Sequence, residues 1–491
     1  TAKGCKVVRL AHNNLPDASC TRMASRISKN QKILDLSRNR LSDPDFRDLV
    51  DALSSPDCRI EELHLDRNDL QDTSCIQLAS VIRNNPSLKK LVLSDNNLYG
   101  PHFIDLVDAL SSPDCRIEEL HLDRNDLPDT SCTQLAFGIR ENQFLRKLVL
   151  SSNHLYGPHF IDLMDALGSP ACRIEELHLD RNYLQDTSCT QLALGIRENQ
   201  TLKRLDLSTN NLYGPHFSDL MDALSSPDCR IEELHLAEND LQDTSCTQLA
   251  FGMSDNQSLK ILDLSYNNLS GPHLSDLMDA LSSPACRIET LYLVENHLSD
   301  SSCTQLAFGV RDNQSLKKLV LSNNRLSGPH FSDLMDALSS PDCRIEELHL
   351  ANTGLQDTSC VQLAFGIREN QTLRKLVLSN NHLSGPHFSD LMDALSSPDC
   401  RIEELHLANT GLQDTFCVQL AFGIRENQTL RKLVLSNNRL SGPHFSDLVD
   451  ALSSPDCRIE ELHLEYNELS ENEKEALKEL EIHKLNLRII Y

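Results

Sequence analysis

The stretch IEELHLDRNDLQDTSCIQLASVIRNNPSLKKLVLSDNNL, residues 60–98, decides the fold of this 491-residue chain. It contains the pattern L-x-x-L-x-L-x-x-N-x-L twice, and the second copy starts at Leu88. In each copy two leucines lie two residues apart, as at Leu63 and Leu65, so a short strand would point both side chains to one face. The Asn of each copy, such as Asn68, can bond the backbone where the chain turns. The pattern therefore predicts a strand and then a turn in every copy.

The pattern recurs along the whole chain, and its starts are alternately 28 and 29 apart, as from 60 to 88 and from 88 to 117. Two such intervals make one block, which the string CRIE marks. Its cysteine returns in equal steps at Cys58, Cys115, Cys172, Cys229, Cys286, Cys343, Cys400 and Cys457. With weaker copies that start at Cys5, Gln31 and Ile482, the sequence predicts 18 strands. Repetition of this kind indicates a solenoid, in which each repeat packs on its sequence neighbours.

Each half-block also predicts a helix, because apolar residues recur at i, i+3, i+4 and i+7. In one block these residues are Cys189, Leu192, Ala193 and Ile196 for the first helix type and Phe217, Leu220, Met221 and Leu224 for the second. We expect Pro215 in the first turn of the second helix. Strands lie about 4.8 Å apart, but helices need roughly 8–10 Å, so the stack should curve. We predict one right-handed α/β solenoid over residues 1–491, a horseshoe with a concave parallel sheet and convex helices.

The two ends of the chain differ in their capping sequences. Ser470 and Glu473 fit an S-x-x-E capping box, which predicts a C-terminal cap over residues 470–491. We expect its helix to run from Glu473 to Glu481 and a last strand to run from Leu485 to Ile490. The N-terminal edge has no comparable cap, and an open solenoid edge is costly, so we expect another domain or further repeats to precede it.

The acidic composition limits the kinds of molecule that this chain is expected to bind. The chain has 72 Asp and Glu against 46 Lys and Arg, a net charge of −26. Such an excess repels phosphate backbones and anionic lipid, so we expect no nucleic acid and no membrane surface as partner, while basic proteins remain open. No stretch approaches the roughly 20 apolar residues of a membrane span, and no N-terminal block is typical of a signal peptide.

The 17 cysteines indicate a reducing environment. Cysteines of one column lie on alternate repeats, about 10 Å apart or more, whereas a disulfide needs Cα atoms within about 7 Å. Bridges within a column are therefore excluded, and Cys75 and its equivalents fit a helix core. We predict a cytoplasmic protein with reduced thiols.

Catalysis and metal binding are not indicated. Any catalytic set would be copied in eight blocks, so we predict no enzyme. One column of histidines lies on alternate strands, too far apart to share a zinc ion that needs nitrogens within ~2.1 Å. Asp206 and Asp263 fall between histidines of that column and could pair with them. We predict no cofactor and no metal site.

The alternation between spacings of 28 and 29, with a helical segment in each repeat, resembles the ribonuclease-inhibitor-like class of leucine-rich repeats over essentially the whole chain. Two families share this class: the ribonuclease inhibitors and the C-terminal repeats of NOD-like receptors of the pyrin-containing (NLRP) class. The tail EALKELEIHKLNLRIIY, residues 475–491, is similar to the closing segment of both. The resemblance implies a protein-binding module.

Resemblance to the ribonuclease inhibitors implies Tyr-Asp-x-Tyr at the end of the last full strand and contacts through Trp. The matching residues here are Glu465, Tyr466, Asn467 and Glu468, and the chain has no Trp. The near-identity of the eight blocks is similar to the way NLRP arrays grow. The motif G-x-x-x-x-G-K-[ST] is absent, as expected for a repeat region alone.

We therefore favour the sensing or autoinhibitory repeat region of a cytosolic NLRP-like innate immune receptor. Its partners would be proteins of unknown identity, with a missing N-terminal nucleotide-binding domain as one candidate. The alternative is a free-standing acidic protein of ribonuclease-inhibitor type that binds basic enzymes.

The charged strand residues alternate, with Glu118 and Glu119 on one strand and Arg146 and Lys147 on the next. We expect these rows to pair with each other, which leaves the variable positions around the turn Asn as the recognition surface. The alternative is drift at exposed positions without a packing role. Tyrosines are the expected anchors, since Tyr gives contact area at low entropy cost. The candidate rim is Arg67, Arg124, Arg181, Tyr183, Glu238, Tyr266, Tyr292, Glu295, His297, Asn352, Asn409 and Tyr466.

Overall fold

A computed structural model describes residues 7–12, 31–41 and 43–491 of the chain. It divides into two compact units, Thr1–Asp240 and Leu241–Tyr491. Cys5 and Cys20 lie outside the described residues, so the structure does not test what the sequence predicts for them. The described part contains 18 strands of three residues each, as predicted.

From β2 onwards the elements of the first unit alternate between strand and helix. Its strands are β1 (Val7–Arg9), β2 (Ile33–Asp35), β3 (Glu62–His64), β4 (Lys90–Val92), β5 (Glu119–His121), β6 (Lys147–Val149), β7 (Glu176–His178), β8 (Arg204–Asp206) and β9 (Glu233–His235). Its described helices are α1 (Asp43–Leu53), α2 (Ser74–Asn84), α3 (Phe103–Leu110), α4 (Ser131–Glu141), α5 (Phe160–Leu167), α6 (Ser188–Glu198) and α7 (Phe217–Ser225).

The second unit continues the same alternation. Its strands are β10 (Ile261–Asp263), β11 (Thr290–Tyr292), β12 (Lys318–Val320), β13 (Glu347–His349), β14 (Lys375–Val377), β15 (Glu404–His406), β16 (Lys432–Val434), β17 (Glu461–His463) and β18 (Arg488–Ile490). Its helices are α8 (Ser245–Ser254), α9 (Leu274–Ser282), α10 (Ser302–Arg311), α11 (Phe331–Leu338), α12 (Ser359–Glu369), α13 (Phe388–Ser396), α14 (Cys417–Glu426), α15 (Phe445–Ser453) and α16 (Glu471–His483).

Within each unit every strand pairs in parallel with the next strand along the chain. The register is constant: Glu119 lies opposite Lys147, and Lys147 lies opposite Glu176. In the second unit Lys318 and Glu347 repeat this arrangement. Sequential parallel pairing with one helix between strands confirms the predicted leucine-rich-repeat solenoid.

The core of each repeat lies between its strand and its helix. Leu63 and Leu65 are fully buried, and so is Phe217 at the start of α7. Cys360 is buried in α12, and this burial raises the pKa of its thiol to about 12. All 15 cysteines among the described residues are free. They therefore act as small core side chains, as the sequence predicts.

A ladder of buried asparagines ties each repeat to the one before it. Asn153 Oδ1 accepts hydrogen bonds from the backbone N–H groups of Asn125 and Leu127, both at 3.0 Å. Its Nδ2 donates to the carbonyl oxygens of Leu122 and Leu150, at 3.1 and 2.9 Å. One side-chain amide thus provides hydrogen-bond partners for four backbone groups where the chain leaves the strands, which is why Asn recurs in the pattern.

The ends of several elements differ from the sequence expectation. Pro215 lies in the turn before α7 and not in its first turn, because the helix begins at Phe217. The capping box of Ser470 and Glu473 is present as predicted. The cap helix α16 extends further at both ends than expected, while the last strand is limited to β18. Among the described residues no helix combines the length and apolar character needed to cross a bilayer.

Candidate functional site

The candidate rim coincides with an unusual backbone conformation. Eleven of its twelve residues have a positive φ, for example 55° at Arg67, 58° at Tyr183 and 59° at Tyr466. This left-handed region costs a non-glycine residue roughly 1–2 kcal/mol. The cost is met because a buried polar residue beside each of them fixes the turn through its hydrogen bonds, an Asn in most repeats and Thr353 or Thr410 beside Asn352 and Asn409. The ladder thus imposes the conformation whatever the side chain, so Arg, Tyr, Glu, His and Asn all occur there.

The left-handed rim residues point into solvent. Tyr183, Tyr266 and Tyr466 are 63%, 52% and 80% exposed, although a tyrosine usually buries most of its ring. All eleven left-handed residues of the rim are exposed. The twelfth candidate, Tyr292, is instead the third residue of β11 and is half-buried. It therefore lies on the face of the sheet, where the Lys318 ammonium is 5.6 Å from its ring centroid.

Rim residues contact the rim of the neighbouring repeat. Arg67 Nε lies 2.7 Å from a carboxylate oxygen of Asp95. The Thr209 hydroxyl donates to Glu238 at 3.0 Å. The ring of Tyr183 stacks on an imidazole of the preceding repeat.

His154 is the stacking partner of Tyr183, with ring centroids 5.2 Å apart and an angle of 18° between the planes. In the second unit the Asn352 amide donates to Asn323 at 3.0 Å, and that of Asn409 donates to Asn380 at 2.8 Å. These contacts between repeats hold rim side chains in place, which lowers the entropy that binding would cost.

The C-terminal end of the rim borders a cavity. A space of about 400 Å³ is lined by Tyr466, Glu468, Lys474 and Tyr491, between the last rim turn and α16. Of the four positions that match Tyr-Asp-x-Tyr, Asn467 is buried in the ladder and Tyr466 is the exposed aromatic residue.

The charged rows on the strands pair with each other, as predicted. Lys147 Nζ lies 2.9 Å from Glu176, and Lys318 Nζ lies 3.4 Å from Glu347. Arg374 and Glu403 form the same pair at 3.1 Å. Because both partners are partly exposed, each pair contributes only about 0–1 kcal/mol, but together they neutralise the strand face.

The histidine column contains one residue with a distinct environment. His178 Nε2 lies 2.6 Å from Glu176, and its Nδ1 lies 3.7 Å from Asp206 on the next strand. Burial alone would lower its pKa, but the two carboxylates outweigh burial and raise it. This agrees with the expected pairing of Asp206 with the column. Ligand-type atoms of His178, Asp180 and Asp206 lie within 4.8 Å of one another, and the imidazole is already within ion-pair distance of Glu176 and Asp206.

Sequence reasoning did not reveal the left-handed conformation of the rim residues. Gly354 and Gly411, with φ of 74° and 79°, occupy the same turn position as Tyr183. Glycine, with Asn352 and Asn409 two residues earlier, is the signal that could have revealed a left-handed turn.

Comparison with known proteins agrees with this geometry. Residues matching the family model described as Leucine Rich Repeat are 258–280, 315–337, 372–394 and 429–450. The ribonuclease inhibitor of Mus musculus is 32% identical over 459 residues, which cover 93% of this chain and 99% of that protein. The ribonuclease inhibitor of Sus scrofa is 31% identical over the same coverage. The chain belongs to the ribonuclease inhibitor family of leucine-rich-repeat proteins.

This ribonuclease-inhibitor-like chain is also similar to the repeat regions of longer proteins. It is 33% identical over 342 residues to the NACHT, LRR and PYD domains-containing protein 12 of Mus musculus, which is 70% of this chain and 32% of that protein. A solved leucine-rich-repeat protein of Leptospira interrogans aligns with 99% of this chain and 100% of its own length, at 20% identity and a TM-score of 0.41, too low to support an inference. The chain is a leucine-rich-repeat protein-binding module.

Proposed function

We propose that this module is the sensing or autoinhibitory repeat region of a cytoplasmic NLRP-like receptor in innate immune signalling. It binds proteins and performs no catalysis, and its partner is a protein ligand or a nucleotide-binding domain on the N-terminal side. The observation that carries the proposal is the left-handed rim, where side chains vary over a buried ladder of Asn and Thr residues. Such a surface can change its ligand without a change of fold.

The strand face supports a receptor more than an inhibitor of basic enzymes. Its carboxylates, such as Glu176 and Glu347, are paired with lysines of the next strand or the one before. A basic enzyme would have to displace those lysines before it gained an ion pair. A partner that binds the three exposed tyrosines of the rim does not have to displace those lysines.

Two measurements test the receptor proposal. The coding sequence upstream of Thr1 should encode a G-x-x-x-x-G-K-[ST] loop in frame, and an in-frame start codon immediately before residue 1 would contradict it. Pull-down of the encoded upstream domain by the repeat module should be weakened at least tenfold by Tyr183→Ala, Tyr266→Ala and Tyr466→Ala together. The matched control is Tyr213→Ala, since Tyr213 is exposed but lies outside the rim.

The second candidate function is inhibition of a basic ribonuclease. The observation that favours it is the alignment with 99% of the mouse ribonuclease inhibitor, together with the net charge of −26. Titration of a pancreatic-type ribonuclease with the full chain at physiological salt decides it. Stoichiometric inhibition would establish this function, and unchanged cleavage at a tenfold excess of the chain would exclude it.

A further inference from the structure

A row of exposed arginines lies at the edge of the second unit opposite to the rim. Because β13, β14 and β15 pair in register, the residues three places before them form one row: Arg344, Thr372 and Arg401. The same spacing places Arg287 and Arg458 in this row. We call Arg287, Arg344, Arg401 and Arg458 the arginine edge, and all four are exposed.

The arginine edge has no ion-pair partner among the described residues, and three of the four glutamates two residues after its arginines are engaged elsewhere, Glu346 being the exception. Glu289, two residues after Arg287, lies 2.8 Å from Lys317. Glu403 forms an ion pair with Arg374, and Glu460 forms one with Arg431, in each case on the preceding repeat. These four guanidinium groups of the second unit thus have no ion pair within the described residues, although the chain carries a large excess of acidic residues.

The residues between the arginines do not compete for a ligand. The Thr372 hydroxyl donates to the carbonyl oxygen of Ile345 at 2.8 Å, and the Thr429 hydroxyl donates to that of Ile402 at 2.9 Å. Both are directed into the backbone of the preceding repeat. Guanidinium groups therefore alternate with hydroxyls that are already occupied.

Two cavities open along the same edge. One of about 440 Å³ is lined by Arg287 and Arg344, and another of about 480 Å³ is lined by Arg458 and Lys484. Each has more basic than acidic side chains in its wall. At the first cavity, Ala285 replaces the Asp that most blocks carry two residues before the arginine. These features favour an anionic ligand.

The spacing of the arginines defines the ligand further. Arginines on alternate strands are about 10 Å apart, which equals three residues of an extended chain at ~3.3 Å each. A polyproline II segment rises ~3.1 Å per residue with three residues per turn, so every third side chain faces the same way. At physiological ionic strength the Debye length is about 8 Å, so the acidic helical surface is screened from such a ligand.

We propose that the arginine edge binds an extended acidic segment of a partner protein, with a carboxylate at every third residue. Each guanidinium group forms a paired hydrogen bond with one carboxylate. The segment runs across the repeats and leaves the rim accessible. This second surface is independent of the rim and of the function proposed for it.

The first unit supplies an internal control. Arg116 occupies the equivalent position, but its guanidinium carbon lies 4.6 Å from the centroid of the Phe144 ring. Phe144 stands where the second unit has Ser315, Thr372 or Thr429. Arg116 is half-buried for this reason, and a ring in that position removes an arginine from the binding edge.

The test is fluorescence anisotropy of the full chain with a labelled peptide of four Glu-Pro-Pro units at 150 mM salt. A peptide of the same composition with its four glutamates adjacent is the control ligand. We expect the spaced peptide to bind at least tenfold tighter than the clustered one. Replacing all four arginines of the edge by Gln should weaken binding about 100-fold, and each single replacement two- to fivefold.

Thr372→Phe provides a second variant that keeps every charge. It should reproduce the contact of Phe144 with Arg116 and weaken the spaced peptide three- to tenfold, while Arg116→Gln and Tyr466→Ala leave binding unchanged. Circular dichroism confirms that each variant is folded. Equal binding of both peptides, full binding by the fourfold variant, or displacement of the peptide by single-stranded RNA at lower concentration would each overturn the proposal.

Discussion

The same heptapeptide, ELHLDRN, occurs at residues 119–125 and again at 176–182, yet the histidines of these two copies have opposite pKa shifts. Burial lowers the pKa of His121, which has Val149 opposite it on the next strand. His178 has Asp206 in that place, and its pKa rises. Both histidines have a glutamate two residues before them, so the difference between them follows the residue one repeat further along the chain.

The largest expected effect tests the asparagine ladder, which the regions around residues 119–125 and 176–182 share. Asn153→Ala should lower the free energy of unfolding by about 3 kcal/mol, since it leaves several buried backbone groups without partners, and Asn210→Ala should lower it by about 2 kcal/mol, because Asn210 is half-buried. Asn210 Oδ1 accepts from Asn182 and Leu184 at 3.0 Å. Chemical denaturation of the full chain, with hydrogen exchange to locate the loss, measures the effect.

The matched control for the ladder is Asn211→Ala, because Asn211 is adjacent in sequence but exposed. We expect it to change the free energy of unfolding by less than about 0.5 kcal/mol. If Asn210→Ala cost no more than Asn211→Ala, the ladder would not be the support that the hydrogen bonds indicate.

A smaller effect tests the difference between the two regions. Burial opposes the shift, but His178 and Ser208 hold the pKa of Asp206 down at about 2. The contribution of Asp206 to stability is lost as pH falls from about 4 towards 2. That of His178 is present below its unfolded pKa, near 6.5, and is lost as pH rises through its raised folded pKa.

Asp206→Val should therefore lower the free energy of unfolding most between about pH 4 and 6.5, by up to about 2 kcal/mol, and less at pH 8. Histidine NMR titration of the variant should show the pKa of His178 fall below 6.5, like that of His121. An unchanged pKa would mean that Asp206 does not cause the difference.

The converse change should make the first region resemble the second. The depressed pKa of His121 means that its contribution to stability is present above about 6.5 and is lost as pH falls below that value. Val149→Asp adds a carboxylate opposite His121, on a half-buried strand position that can hold a charge. We expect the pKa of His121 to rise above 6.5 in the same titration, and a further fall would contradict the argument.

The smallest expected effect concerns the rim of the two regions. Asp126 and Tyr183 occupy equivalent left-handed positions, with φ of 54° and 58°. Tyr183→Asp makes the rims alike and removes the stack on His154, so it should cost about 0.5–1 kcal/mol. A double-mutant cycle with His154→Ala measures the coupling, and additive effects would show that the two rings do not support each other.

The sequence predicts those features that depend on the repeat period alone. Leucine spacing is sufficient for the strands, the helical periodicity of apolar residues for the helices, and the constant register for the pairs between Lys147 and Glu176 and between Asp206 and His178. Each follows because equivalent residues must lie side by side in a parallel stack.

The sequence does not predict features that arise from packing between repeats. Arg67 and Tyr183 have no intrinsic preference for positive φ, and only the neighbouring buried Asn imposes it. Tyr292 has the residue type of a rim anchor, but its position in the strand places it on the sheet face. The start of α7 after Pro215 depends on Asp186, in the turn before α6, whose side chain accepts from the Phe217 N–H at 3.0 Å.

Every amide of the asparagine ladder reaches back one repeat and no further. Excision of a whole block within the second unit, such as residues 316–372, would join Ser315 to Leu373. Ser315 would then occupy the position of Thr372, and all remaining side-chain hydrogen bonds between repeats would find equivalent atoms. The number of repeats can thus change by whole blocks without a change in the contacts between neighbouring repeats. The size of the partner that such a protein spans can follow the number of its blocks.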